Sequence, residues 1–119
     1  MGEQIFWIFE NRIKDGQVDA LKSLLEEMSE ATQADEPGTL GYEWFISEDN
    51  ESCHIYERYA DGAAALQHIE TFGEKFADRF MAILQPEGLK IYGNNDGAVK
   101  VALTALGARF HTSLGGFYR

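Results

Sequence analysis

Residues Ile5–Ile13 (IFWIFENRI) alternate in a way that predicts a strand. Ile5, Trp7, Phe9, Asn11 and Ile13 fall on one face, and Phe6, Ile8, Glu10 and Arg12 on the other. The odd face is apolar except for Asn11 and belongs under helices. The even face starts apolar and turns charged, as a surface does that meets a second protein sheet near one end. Asp15-Gly16 turns the chain, with Asp15 as the expected helix cap. From Gln17 to about Asp35, Val18, Leu21, Leu25, Met28 and Thr32 recur at helical spacing, while Lys22, Glu26, Glu27 and Glu30 take the opposite side. This predicts one long amphipathic helix, ended by Pro37, which lacks an N–H and fixes φ.

Two runs rich in β-branched and aromatic residues follow, Leu40–Ser47 and Cys53–Ala60, separated by the acidic segment Glu48–Ser52. They read as a hairpin with a solvated loop. Leu40, Tyr42, Trp44 and Ile46 share a face in the first run; Cys53, Ile55, Glu57 and Tyr59 share one in the second. Each face mixes apolar and polar groups, so the pattern does not say which looks inward. Beyond Asp61 the stripe Ala65, Ile69, Phe72, Phe76, Phe80, Ile83 steps by three or four, with Gly73 as a point of division or kinking. Gln85-Pro86-Glu87-Gly88 is expected to end this helical region, before a short strand Leu89–Gly93. A capped turn at Asn94–Gly97, a short helix carrying Val99, Ala102, Leu103 and Leu106 and closed by Gly107, and a further strand over Ala108–Leu114 complete the chain.

The order strand, helix, strand, strand, helix, strand predicts an α+β, ferredoxin-like βαββαβ antiparallel sheet with a C-terminal helix and strand added. With no internal repeat or linker, we expect one domain over 1–119, its core at 5–93 and its extension at 94–119. Helices would cover one face only. Phe6, Ile8 and one hairpin face then leave an apolar area unusual for a monomer, and twofold pairing covers it, so a homodimer is expected.

The length of 119 residues suits such a domain. A net charge of −10 argues against nucleic acid and against an anionic membrane surface as partners. The N-terminal apolar run Ile5–Phe9 is far too short to span a bilayer, and no basic segment with a cleavage site precedes it. Met1-Gly2 opens like a myristoylation signal, but Phe6 stands where Ser or Thr is needed. A single cysteine cannot form an internal disulfide and fits a reducing compartment, so the expected location is cytoplasmic.

Glu36-Pro37-Gly38-Thr39-Leu40-Gly41-Tyr42, then Tyr56-Glu57-Arg58-Tyr59-Ala60-Asp61, then Ala65-Leu66-Gln67-His68, resemble the antibiotic biosynthesis monooxygenase family in motif and order. The resemblance covers about Ile5–Gly93, and the ending LGGFYR is similar to tails on some small quinol monooxygenases of that group. It implies a dimeric α+β barrel, and oxygenation of phenolic or quinol-like substrates without metal or organic cofactor. The family also holds haem-degrading members and members without assigned activity, so it implies the fold more narrowly than the reaction.

Within that frame Asn11 and His68 are the candidate catalytic residues. Asn11 is either a hydrogen-bond donor to a substrate oxygen, as its Glu-Asn-Arg context in haem-degrading relatives suggests, or a group bonded to local backbone. His68, on the rim of an apolar stripe, is either a general base, as the family's Ala-Leu-x-x-His pattern implies, or a boundary histidine that completes core packing. Trp7, Trp44 and Tyr59, with Phe72, are candidate substrate-binding residues, although aromatics at strand spacing also build cores. Glu57 and Arg58 point to opposite faces and read as dimer or loop contacts.

Cys53 and His54 are adjacent on a strand and cannot share an ion, and no His-x-x-x-His or carboxylate facial motif exists. The histidine that ligates haem in relatives is missing after the second helix, and Tyr59 stands for a tryptophan typical of them. No Gly-x-Gly-x-x-Gly or phosphate loop occurs. No cofactor is therefore expected. The leading expectation is a cofactor-independent monooxygenase acting on a small aromatic, quinol- or anthrone-like substrate. A non-enzymatic dimeric barrel that binds a small ligand, and an isomerase or cyclase on the same scaffold, remain open. A cavity of about 300–1,000 Å³ beside Asn11 and His68 would separate them.

Overall fold

The computed structural model describes residues 4–119, so the Met1-Gly2 start lies outside the described residues. The elements run β1 (Ile5–Ile13), α1 (Val18–Asp35), β2 (Thr39–Ile46), β3 (Ser52–Tyr59), α2 (Gly62–Thr71), a π turn (Phe72–Phe76), α3 (Ala77–Ile83), β4 (Leu84–Gly93), α4 (Gly97–Ala105) and β5 (Arg109–His111). The sheet has the order β2-β3-β1-β4-β5. Its first four strands are antiparallel neighbours, and β5 pairs parallel to β4. This is the expected ferredoxin-like α+β arrangement, with the added strand making the sheet mixed.

The helices pack on one face. Ile5, Trp7, Asn11 and Ile13 of β1 are buried there, and the inward set of β3 is Cys53, Ile55, Glu57 and Tyr59. Tyr42 and Trp44 of β2 stand opposite Glu57 and Ile55, so the hairpin's inward face is settled. One core cluster gathers Leu21, Leu24 and Met28 of α1 with Phe76 and Phe80; a second gathers Ile5, Trp7, Leu89 and Ile91 with Ala65 of α2 and Val99 and Leu103 of α4. Phe9 packs against both.

Four local expectations are corrected. Asp15 does not cap α1: Gln17 holds that place with no side-chain cap, because Gly16, at φ +75°, turns the chain one residue later. The fourth strand does not wait for Leu89: the helical region ends at Ile83 and Gln85–Gly88 is already strand. That segment is the first half of β4, paired with β1 across a register shift beside Asn11, and a proline is tolerated where the ladder is already irregular. Leu40 does not share the Tyr42/Trp44 face; it sits at a second irregularity, between Thr39 and Gly41, and is half exposed. The last strand spans three residues rather than Ala108–Leu114. Division of the second helical region does fall at Gly73, as a π turn that shifts the helix phase between Phe72 and Phe76.

Candidate active site

The site forms where α1 hands over to β2. Glu36 is the C-cap of α1, its N–H bonded to the Thr32 carbonyl, and Pro37 forbids further helix. The chain then passes against the first turn of α2. A Cβ on Gly38 would lie 2.5 Å from that of Ala64, a distance only glycine permits. The Gly38 carbonyl accepts from Ala60 N–H, and the Asp61 side chain caps α2 by accepting from Ala64 N–H at 2.9 Å. His68 is one turn further on and faces Glu36.

His68 Nδ1 lies 2.9 Å from Glu36 Oε1, and its Nε2 3.2 Å from Glu57 Oε1. The Tyr59 hydroxyl donates to the same Glu57 oxygen at 2.6 Å, leaving Oε2 unused by either donor. All four side chains are buried. Burial works against a charged ring, but the hydrogen bonds to Glu36 and Glu57 and the charges behind them outweigh it and lift the His68 pKa to about 9. At neutral pH the ring is an imidazolium donating to two carboxylates. Tyr42 packs edge-on to it at 5.2 Å, and Tyr59 lies 5.5 Å away. Burial and the Glu57 charge raise both phenol pKa values, so both stay neutral donors.

A cavity opens beside His68, along the seam between the two core clusters, but at about 140 Å³ it is smaller than the expected range of about 300–1,000 Å³. Its walls are apolar, with Phe9, Ile55, Phe72, Phe80 and Leu103 among them; among the described residues Glu57, His68 and Tyr42 are its only ionisable lining groups. Burial also pushes the Cys53 thiol up to about 11, which makes it an inert packing group.

Of the residues singled out from sequence, Trp7, His68 and Phe72 line the cavity. Tyr59 does not line it; its ring is tilted at 39° to Trp7 with centroids 4.7 Å apart, and its hydroxyl is bonded to Glu57. Trp44 is packed edge-on to Tyr42 and Phe80 and does not line the cavity. Asn11 is fully buried, donates to the Phe9 carbonyl at 3.2 Å, and does not line it either. Its Oδ1 has no partner among the described residues. Sequence reading missed Glu36, Glu57 and Tyr42. Glu57 carried the same signal as Asn11, a lone polar group on a strand face otherwise apolar.

Among the described residues no three His, Cys, Asp or Glu side chains are placed to hold a metal ion. Glu36 and Glu57 engage opposite nitrogens of His68 and so cannot converge on one ion with it. Cys53 points inward and His54 is exposed on the other face.

The model of the antibiotic biosynthesis monooxygenase family matches residues 5–82. The chain belongs to that family. Solved structures of similar fold include MupZ from Pseudomonas fluorescens, 19% identical, with a TM-score of 0.86 over 98% of this chain and 95% of that one. A conserved protein from Methanosarcina mazei is 20% identical, with a TM-score of 0.68 over 79% and 95%. A mutant of SnoaB, a cofactor-independent oxygenase from Streptomyces nogalater, is 13% identical, with a TM-score of 0.65 over 81% and 97%. No curated protein sequence matches significantly. The family match ends inside α3, so β4, α4 and β5 lie beyond it.

Proposed function

We propose that this chain is an oxygenase acting without an organic cofactor on a small quinol-like substrate, with Glu57 rather than His68 as the base. The observation that carries the reading is the Glu57 carboxylate at the one polar end of an apolar cavity, fixed by His68 and Tyr59 through Oε1. His68, protonated below about pH 9, has no lone pair with which to take a proton. It instead stabilises the anion formed beside it, and the neutral Tyr42 phenol on the cavity wall is the available donor to a developing oxyanion.

The chemistry closes without an outside reductant. A hydroquinone and O₂ give a hydroxyquinone and water: one oxygen atom enters the ring, the other leaves as water, and the substrate supplies all four electrons. Deprotonation by Glu57 in a water-poor cavity starts the sequence by making the substrate a better electron donor. The family and the SnoaB-like fold support this reading.

The active unit we propose is a homodimer paired through the sheet face away from the helices, in the cytoplasm. Among the described residues no helix is long and apolar enough to cross a membrane.

A second reading is favoured by one observation. Asn11 does not line the cavity, while Glu57, His68 and Tyr42 offer both a proton acceptor and proton donors. That is sufficient for an isomerisation or cyclisation needing no O₂. An oxygen electrode separates the two. Oxygen uptake with hydroquinones, insensitive to chelator and lowered about 10²–10⁴-fold in Glu57→Gln, supports the oxygenase. Substrate consumption under argon at the aerobic rate supports the rearrangement.

A further inference from the structure

Cavity size and the nature of its mouth restrict the ligand more narrowly than the catalytic groups do. A dry cavity of about 150 Å³ lined by Leu, Ile and Phe admits one benzene. The cavity here is of that size, about 140 Å³, and its walls are of the same kind. A fused tricyclic anthrone exceeds it. The cavity is nonetheless open, and two of its lining residues, Met81 and Leu106, are 46% and 59% exposed. Two large apolar side chains therefore flank the point where the cavity meets solvent.

Leu103 and Leu106 belong to α4 and its C-cap, beyond the family match, so this wall and half of the mouth come from the extension. Leu103 is fully buried, in the second core cluster that also holds Ile5 and Trp7, so this wall is part of the packed core. The mouth is not covered by any charged side chain among the cavity's lining residues.

We infer that the ligand is a single oxygenated six-membered ring, or a short chain of similar size, bearing an apolar tail that leaves over Met81 and Leu106, and that the α4 extension selects it. The ring's hydroxyl meets Glu57 at the closed end. The tail covers apolar surface that the empty protein exposes to water, and each methylene in contact adds affinity. This rests on the proposed function for the role of Glu57, but the ligand's shape follows from the cavity alone.

Calorimetric titration under argon tests it, with 2-alkylhydroquinones from methyl to heptyl, and anthrone for comparison. We expect affinity to rise about two- to fourfold per methylene over the first members, as apolar burial predicts. Anthrone should bind at least tenfold more weakly than heptylhydroquinone. Leu106→Glu and Met81→Glu, both at exposed positions and so tolerated by the fold, should flatten the chain-length dependence. Anthrone binding as tightly as the heptyl compound overturns the inference, as does a chain-length dependence unchanged in both variants. Tight, chain-dependent binding with no oxygen uptake in air overturns the oxygenase reading instead and leaves the ligand assignment standing.

Discussion

An imidazole held between two carboxylates ties its protonation to folding, and the direction follows from the pKa. His68 titrates near 6.5 when exposed and near 9 in the fold, so the folded protein holds its proton more tightly. Its contribution is complete below about pH 6.5 and is lost as pH rises through about 9. By linkage that amounts to roughly 3 kcal/mol. Urea denaturation at pH 6 and pH 9 should show the loss; toward pH 10 the unfolded chain also ionises Cys53, Tyr42 and Tyr59, whose pKa values are raised in the fold, and the loss is no longer that of His68 alone. Removing the ring is worse than neutralising it. His68→Ala leaves Glu36 and Glu57 buried with no cation between them, which costs about 3–5 kcal/mol. The pH dependence between 6.5 and 9 should vanish in that variant; parallel curves for both proteins would show that other groups cause it. Sequence reading reached His68 through a motif, but not its partners. Glu36 approaches from 32 residues away, a pairing no local pattern contains. Glu57 was visible as a polar interruption, like Asn11, but its value depended on which hairpin face looks inward. Each face mixes apolar and polar residues, so alternation alone could not decide.

Strands, helices and their order were legible because each buries one regular stripe. The failures lie where backbone geometry departs from the period. Gln85–Gly88 carries Pro and Gly and so reads as a break ahead of a strand at Leu89, yet it pairs with β1 because the ladder is already shifted beside Asn11. The link from α1 to β2 is a similar case with a functional consequence. Gly38 is there because Ala64 occupies the space its side chain would need, and this contact sets how closely Glu36 meets His68. Gly38→Ala must push α2 from the entry of β2. We expect a cost of about 1–3 kcal/mol and a His68 pKa nearer its ordinary value, read from imidazole proton shifts by NMR. Gly73→Ala is the control. Nothing lies within 4 Å of a Cβ there, and the helical backbone accepts alanine, so it should raise stability by about 0.4–1 kcal/mol. A neutral or stabilising Gly38→Ala would mean that the link can yield without disturbing the site.

At the scale of the molecule, the sheet face away from the helices is the candidate for pairing; Tyr118 of the C-terminal segment lies 5.9 Å from the Arg58 guanidinium there, and the rest of the face is part-exposed. Phe6 stacks on Tyr92 at 5.2 Å, Tyr92 on His111 at 4.9 Å, and Arg58 lies 4.3 Å over the Phe6 ring while its Nε donates to the Tyr56 hydroxyl. Ile8 stands between Tyr56 and Lys90 on the same face, with Phe45 half exposed on β2. Such a band of aromatic and aliphatic surface gains stability by meeting a copy of itself across a twofold axis. Light scattering at micromolar concentration should therefore give twice the chain mass. Ile8→Lys is the sharper test. Its ammonium would lie beside Lys90, whose partner Glu10 is already engaged at 3.1 Å, so pairing two copies would bury like charges. On a free monomer the same lysine would reach water from a half-buried position and cost little. A variant that remains folded by circular dichroism but runs at the chain mass places the interface on this face. A variant that stays dimeric moves the interface elsewhere, to the α4 side or the C-terminal segment, where Leu114 and Phe117 are exposed.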